Sequence, residues 1–353
     1  MNKLTKVGFS ALCGSLAAIS AANAGDITVT GGVDMTWVSH DGDTTGNPIG
    51  IGSNLTFKGS GELDNGWTFD YTVANTNASA YSATNLGLTM GGLGELNINQ
   101  GNSGNGIAAY DDKMPTAWEE AWGAGVSTGV KTVLGIGASN NIQYKTPKLL
   151  GTTIVLAYSP EVGTADTADK TTTQGTDGLG KGYDAVIDIN PSFGTELLSG
   201  FSIYAGGHYS EHHGNNLTYQ QDVYEGVAGV TLDLGPISLG YASSGFALGT
   251  NKKNAAGVGA YEYYKSAMYG VAFNVNDDLS VSYGFHEQRK EGMFHPAATS
   301  LPENQRKVEV ESWQIAYTVG GASIRVADTR STNAKYAAGN NVDATTVSLG
   351  LAF

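Results

Sequence analysis

The sequence predicts an all-β fold, a sixteen-stranded antiparallel β-barrel that spans a membrane. Apolar and polar residues alternate with a period of two along most of the chain. Short turns alternate with longer connections, and the chain after residue 24 has no run of eighteen apolar residues. Strands with one apolar and one polar face suit a wall between lipid and water, whereas transmembrane helices need long apolar runs.

The N-terminal segment has the form of a secretory signal peptide. Lys3 and Lys6 precede a mostly apolar run over residues 7–19, which is too short to span a bilayer as a helix. Small residues in an A-x-A arrangement follow, and they predict cleavage between Ala24 and Gly25. We therefore expect a signal peptide over residues 1–24 and one barrel domain over residues 25–353, exported through the periplasm.

The composition limits the classes of partner and leaves one alternative for the leader. Asp and Glu number 33 against 19 Lys and Arg, so nucleic acid and anionic membrane surfaces are disfavoured as partners. Cys13 is the only cysteine, and the mature chain would have no thiol. Cys13-Gly14 leaves a lipoprotein signal open, although Leu12 stands where that peptidase prefers a small residue.

Sixteen segments carry the alternation, and each has the period of a strand. In the first, Val29, Val33 and Trp37 share one face, while Thr28 and Asp34 share the other. The segments cover residues 27–37, 51–63, 67–73, 86–90, 96–98, 142–144, 154–158, 183–189, 201–209, 224–234, 237–241, 267–275, 279–285, 313–319, 322–326 and 345–353.

The connections favour a membrane barrel over a soluble sandwich or propeller. Seven short turns, such as Asp64-Asn65-Gly66, alternate with eight longer loops, which places both termini on the short-turn side. Outer-membrane barrels have this asymmetry and an even strand count. The predicted long loops cover residues 39–50, 75–85, 101–140, 159–181, 211–222, 243–262, 290–306 and 329–342.

Charged residues within the strands fall almost entirely on the polar face. A packed core would not hold so many charges, but a water-filled lumen can. Lys265, Glu309 and Glu311 share the apolar parity, so we expect them above the membrane or beyond a bulge near residues 306–313. The charges on the polar face are Asp34, Lys58, Asp70, Lys145, Asp184, Asp188, Glu225, Asp233 and Arg325.

Aromatic residues near the ends of the apolar faces are typical of the interfacial girdles of membrane barrels. A packed sandwich core is the alternative for them, but the ordering of the loops argues against it. These residues are Trp37, Trp67, Phe201, Tyr209, Phe285 and Trp313.

The mature chain resembles a general-diffusion porin of the alphaproteobacterial type. The resemblance rests on sixteen strands, a longest third loop and the terminal aromatic Phe353. It implies a homotrimer in the Gram-negative outer membrane, in contact with its lipid. It also implies a water-filled channel for ions and small hydrophilic solutes, with the third loop folded into the lumen.

The third loop carries the predicted constriction. Asp111, Asp112, Glu119 and Glu120 lie in it with only Lys113 nearby, and the resemblance implies that such acidic residues line the narrowest part of a pore. The acidic excess predicts a mild preference for cations. A solvated external loop is the alternative interpretation of these residues.

Basic residues on the opposite wall complete this prediction. The family sets them across from the acidic loop, and parity selects Lys58, Lys145 and Arg325. Three basic residues are fewer than the family resemblance implies for a transverse electric field across the pore. Lys58 and Lys145 have an alternative role, in which they neutralise neighbouring carboxylates of the lumen.

The C-terminal residues are similar to the signal that the barrel-assembly machinery reads in outer-membrane proteins. Val347, Leu349 and Leu351 alternate up to the terminal Phe353, although many members have an aromatic where Leu351 stands. We expect this last strand to pair with the first and close the barrel.

No catalytic motif or metal site is predicted. The chain lacks G-x-S-x-G, H-E-x-x-H and P-loop patterns, so we expect no enzyme activity and no cofactor. External loops with Asp41, Asp43, Asp166 and Asp169 leave weak Ca²⁺ binding open. A substrate-specific channel, with Tyr204 and Tyr264 on the lumen parity, and a plugged structural or adhesive barrel remain the alternatives to a general porin.

Overall fold

The computed structural model describes residues 27–41, 47–77, 79–163, 179–191, 200–212, 222–253, 259–294 and 306–353. The predicted cleavage site at Ala24 and Gly25 lies outside them, as do Asp43, Asp166 and Asp169. No helix among the described residues is long and apolar enough to cross a membrane.

Sixteen antiparallel strands form one closed barrel, as the alternation predicts. Each strand pairs with its neighbours in sequence, and β1 pairs with β16. The strands are β1 Ile27–Asp41, β2 Ile49–Glu62, β3 Thr68–Thr76, β4 Ser79–Thr89, β5 Glu95–Gln100, β6 Asn141–Lys145, β7 Thr152–Ser159, β8 Gly182–Ile189, β9 Phe201–Ser210, β10 Val223–Leu234, β11 Ile237–Lys253, β12 Gly259–Asn274, β13 Leu279–Phe294, β14 Arg306–Val319, β15 Ala322–Thr332 and β16 Val342–Ala352.

Closure depends on the pairing of the last strand with the first. Trp37 lies opposite Val347, and the register continues down to Gly32 opposite Ala352. Phe353 then exchanges two backbone hydrogen bonds of 2.9 Å with Gly31. No open sheet edge remains between β1 and β16, because their backbone groups satisfy one another.

The outer face of the barrel is apolar and exposed, and the alternate residues point inwards. In β8, Tyr183 and Ile187 are exposed, whereas Asp184 and Val186 are buried. An outer row of tyrosines joins four neighbouring strands at ring separations of 5.3, 6.5 and 5.3 Å. Such rings suit a lipid–water interface, and the row consists of Tyr158, Tyr183, Tyr209 and Tyr224.

Five of the predicted long loops are shorter by several residues in the structure, because strands extend into residues 39–50, 75–85, 243–262, 290–306 and 329–342. The predicted loop 75–85 is wrong, since β3 ends at Thr76 and β4 begins at Ser79. Asn77 makes this tight connection with a φ of +53° and bonds Ser53 of β2 through its backbone and its side chain. Strands also replace much of loops 243–262 and 290–306, because β11, β12 and β13 extend beyond the apolar band.

The charges on the apolar parity belong to these strand extensions. The register of β13 with β14 is continuous from Lys290 opposite Arg306 to Leu279 opposite Tyr317, so no bulge turns Glu309 and Glu311 inwards. Both lie on the outer face above Trp313, and so does Lys307, which bonds Glu309 at 2.6 Å and Glu287 at 3.1 Å. Lys307 therefore neutralises part of the charge of Glu287 and Glu309 beyond the aromatic residues.

Candidate functional site

The segment between β5 and β6 packs against the inner face of the barrel. Its buried Ile107, Met114 and Val133 form an apolar cluster with wall residues of β7 to β12. A second cluster joins Ala121 and Val126 to β14 and β16. The largest apolar core of the described residues thus lies between this loop and the wall, since the barrel itself turns its apolar face outwards.

Two wall glutamines hold the backbone of the loop on the side of β13 and β14. Gln314 accepts hydrogen bonds from the N–H groups of Trp118 and Glu119 at 3.1 and 2.9 Å, and donates one to the carbonyl of Glu119. Gln288 accepts from the N–H of Lys131 at 2.8 Å and donates to its carbonyl. A primary amide serves here because it offers a donor and an acceptor together.

Two wall carboxylates hold the loop from the side of β8 and β10. Asp184 accepts hydrogen bonds from the N–H groups of Ile107 and Ile136 at 3.0 and 3.3 Å. Glu225 accepts from those of Leu134 and Gly135 at 2.7 and 2.9 Å. The loop is therefore attached to two separate regions of the wall.

The four acidic residues predicted for the loop lie close enough to influence one another. Burial is the main cause that raises the pKa of Glu120 to about 7, and the negative charges of Asp112, Glu119 and Asp111 add to this effect. Burial also raises the pKa of Asp111, against a hydrogen bond with Thr132 that lowers it. These residues form one partly buried acidic cluster.

Arg325 is the predicted basic residue that the structure brings to this loop. Its guanidinium lies 5.1 Å from the ring centre of Trp118 and 2.7 Å from the carboxylate of Asp34. Burial raises the pKa of Glu119, and the charge of Arg325 offsets part of that effect. A positive and a negative group therefore face one another at this point.

The other two predicted basic residues have carboxylate partners near the short-turn end. Lys58 lies 3.5 Å from Asp70, and Lys145 lies 3.7 Å from Glu95 on the neighbouring strand. Both lysine side chains are about half exposed, so water screens these pairs. The geometry agrees with the alternative interpretation, in which they neutralise adjacent carboxylates.

The tyrosines considered for a substrate path are packed instead of exposed. Tyr204 is 3% exposed and packs against Tyr110 of the loop, with the ring centres 5.2 Å apart and the rings tilted by 42°. Tyr264 is also 3% exposed and packs between Phe246 and Tyr336. These rings hold the loop and its surroundings in place, so they lend no support to a stacking path for a specific solute.

Several functional contacts were not anticipated from the sequence. Parity placed Asp184 and Glu225 on the inner face, but it did not show that they bond the loop. Ser282, Gln288 and Gln314 gave no signal as neutral polar residues, although Ser282 accepts from the N–H of Ala117 at 2.8 Å. Their inward parity within strands was the only available indication.

The comparison with protein families decides the identity of this fold. A model of the Gram-negative porin family matches residues 9–353. The chain belongs to the Gram-negative porin family. This membership and the barrel place it in the outer membrane. The comparison with curated protein sequences gave no match.

Solved porins share the architecture at low sequence identity. An anion-selective porin from Comamonas acidovorans is 17% identical, with a TM-score of 0.63 over 93% of this chain and 99% of the other. OmpF of Salmonella typhi, in complex with daunomycin, is 12% identical with a TM-score of 0.64 over 93% and 98%. OmpT of Vibrio cholerae in its trimer form is 10% identical with a TM-score of 0.61 over 93% and 99%. At these identities the likeness establishes the fold.

Proposed function

We propose that this porin forms a water-filled channel for the passive diffusion of ions and small hydrophilic solutes, with a mild preference for cations. The observation that carries the proposal is the acidic cluster on a loop packed against the inner wall. In this proposal water and ions pass beside this loop, so its charge acts on the path that they take.

The acidic cluster supports the sign of the preference. Asp111, Asp112, Glu119 and Glu120 lie together, while Lys58 and Lys145 are paired near the short-turn end. Arg325 of the wall reaches the loop, which also carries Lys113, and Asp34 neutralises part of the charge of Arg325. A negative excess at the constriction raises the local concentration of cations. The solved porin from Comamonas acidovorans is anion-selective, so the preference has to come from residues of this chain.

The assembly and its partners belong to the same proposal. A homotrimer is supported by the family and by the trimer form of OmpT. Small outward residues at Ser53, Gly59 and Gly61 of β2 would permit close packing of a neighbouring copy. We also propose export through the periplasm after cleavage of residues 1–24, and insertion by the barrel-assembly machinery with Phe353 as its signal.

The proposal is tested by single-channel recording from the refolded mature protein in a planar bilayer. We expect conductance steps in groups of three and a reversal potential under a salt gradient that indicates cation preference. The variant D111N/D112N/E119Q/E120Q should shift that potential towards anions. Folded protein without any conductance would exclude the channel and favour a plugged structural barrel.

A further inference from the structure

A row of ionisable side chains crosses three neighbouring strands on the inner wall. Asp184 of β8 lies opposite His208 of β9, which in turn lies opposite Glu225 of β10. The side chains of Asp184 and His208 are 0% and 1% exposed. Nδ1 of His208 lies 2.5 Å from Oδ1 of Asp184, and Nε2 contacts the hydroxyl of Ser210. Asp184, His208 and Ser210 are therefore bonded to one another, and Glu225 lies beside His208 on the next strand.

The two carboxylates of this row meet both ends of the loop. Oδ2 of Asp184 accepts from Ile107, near the start of the loop, and from Ile136, near its end. Glu225 adds the neighbouring N–H groups of Leu134 and Gly135. All four acidic residues of the constriction lie between these attachment points. Asp184 and Glu225 thus attach both ends of the loop segment that carries the four acidic residues to the wall.

Glycines make this close approach possible. Gly106 and Gly135 have φ values of +56° and +55°, a conformation that other residues adopt only at a cost. A Cβ atom on either glycine would overlap the carboxylate of Asp184. The loop backbone and the wall carboxylate are therefore fitted to one another at two points.

The order Asp184–His208–Ser210 has the connectivity of a hydrolase triad, but the network has a different use. Asp184 and His208 are enclosed, and the second oxygen of Asp184 already accepts two N–H groups of the loop. A substrate could not reach the hydroxyl without displacing this packing. Triads are recognised by geometry together with access, and access is lacking here.

We propose that Asp184, His208 and Glu225 form a clamp that fixes the position of the loop and thereby the width and charge of the channel. Asp184 and Glu225 bond directly to backbone N–H groups of the loop. His208 is a positioning residue, because it satisfies the first oxygen of Asp184 and so turns the second towards the loop. Loss of the Asp184 acceptor would leave the N–H groups of the buried Ile107 and Ile136 without partners, which favours release of the loop from the wall. This inference rests on the proposed channel function.

Each carboxylate of the clamp is replaced in two ways, so that one variant loses the hydrogen-bond acceptor and the other keeps it. D184A and E225A remove the acceptors, whereas D184N and E225Q keep an amide oxygen in the same place. We expect single-channel recordings of the alanine variants to show at least about tenfold more time in altered conductance states, because hydrogen bonds to charged acceptors are lost. The amide variants should stay closer to the wild type. Liposome swelling with neutral sugars of increasing size should show a raised exclusion limit in the alanine variants alone.

Another carboxylate of β10 provides the matched control. Asp233 lies eight residues further along β10 from Glu225 on the same face, and its side chain accepts a hydrogen bond from the hydroxyl of Ser238 on β11, at the short-turn end. D233A should leave the exclusion limit unchanged. The loop-side variant G135A disturbs the clamp without altering any wall residue, so it gives a second approach if a wall variant does not fold.

The role of His208 is tested by combination with Asp184. If His208 acts through Asp184, then H208A should change the recordings in the same direction as D184A, and H208A/D184A should match D184A alone. Additive effects would overturn the positioning role. If the wild type conducts and D184A, E225A and G135A show the same conductance states and exclusion limit, the clamp is overturned and the channel stands. A wild type that folds without conducting would instead end the proposed function.

Discussion

At the scale of single residues, conformation and burial decide what each charged group can do. Gly106 and Gly137 both adopt positive φ, at +56° and +57°, but only Gly106 approaches Asp184. Arg325 is held between Trp118 and Asp34, whereas Lys145 is half exposed beside Glu95. Residues of one type therefore differ in their expected effects.

Substitution of Gly106 by alanine should disturb the channel more than the same change at Gly137. Both variants bear the cost of a positive φ, about 1 kcal/mol for a non-glycine residue. Only G106A also places a Cβ against Asp184. Urea unfolding should show a larger loss of stability for G106A, with altered conductance. Equal losses in the two variants would mean that contact with Asp184 is unimportant.

Removal of the charge of Arg325 should strengthen cation preference. R325Q deletes a cation of the wall that faces the acidic loop, so the reversal potential under a salt gradient should move further in the cation direction. K145Q serves as the control and should move it less, since Lys145 lies at the short-turn end beside Glu95. A shift as large in K145Q as in R325Q would contradict the position assigned to Arg325.

The ionisation of Glu120 should make the selectivity depend on pH. Burial raises the pKa of Glu120 to about 7, so this carboxyl is charged above that pH and neutral below it. Cation preference should therefore weaken as the pH falls from about 8 to about 6. The reversal potential measured across this range in wild type and in E120Q gives the test. An equally steep change in E120Q would assign the titration to another group.

At the scale of elements, the strands differ in what their two faces support. The outer ends of β13 and β14 carry ion pairs in water, with Lys307 bonded to Glu287 and Glu309. The inner face of β14 carries Gln314, which is buried and bonded to the backbone of the loop. The same strand thus has a solvated polar end and a buried polar contact.

These two positions should differ in their contribution to stability. K307Q should change the free energy of unfolding by less than about 1 kcal/mol, because exposed ion pairs contribute little. Q314L should cost about 1–3 kcal/mol, since it leaves N–H groups of Trp118 and Glu119 without an acceptor. Urea unfolding of both variants in the same detergent compares them directly. A cost for K307Q that equals that of Q314L would contradict this ranking.

At the scale of the whole molecule, closure and assembly depend on the last residue in different ways. Phe353 pairs with Gly31 through its backbone, but its side chain is 76% exposed. The side chain therefore contributes little to the closed barrel, so its substitution tests the proposed assembly signal separately from closure.

Substitution of the terminal Phe353 should affect assembly in cells more than refolding in vitro. F353A retains the backbone pairing with Gly31, so refolding into detergent should give as much folded barrel as the wild type. The amount of barrel in the outer membrane of expressing cells should fall severalfold, as measured by heat-modifiable migration. Equal losses in both settings would assign Phe353 a structural role instead.

The sequence by itself determined the number of strands, their faces and the closure of the barrel. These features follow from local alternation and from the order of the turns, both of which are written along the chain. It also selected the acidic loop and the inward parity of Asp184, Glu225 and Arg325. The alternation predicted the strand ends beside the long loops less well, because the strands continue there with polar residues on both faces and the alternation disappears.

Only the tertiary structure decided which inward residues meet. Asp184 and Ile107 are 77 positions apart, and Gln314 and Trp118 are 196 apart, so no periodicity connects them. Their contacts arise because the closed wall brings distant strands around one interior, where the loop must satisfy its backbone N–H groups. The same closure left Lys58 and Lys145 beside their neighbouring carboxylates and brought Arg325 to Trp118. Parity fixes the face of a residue, whereas the path of the loop fixes its partner.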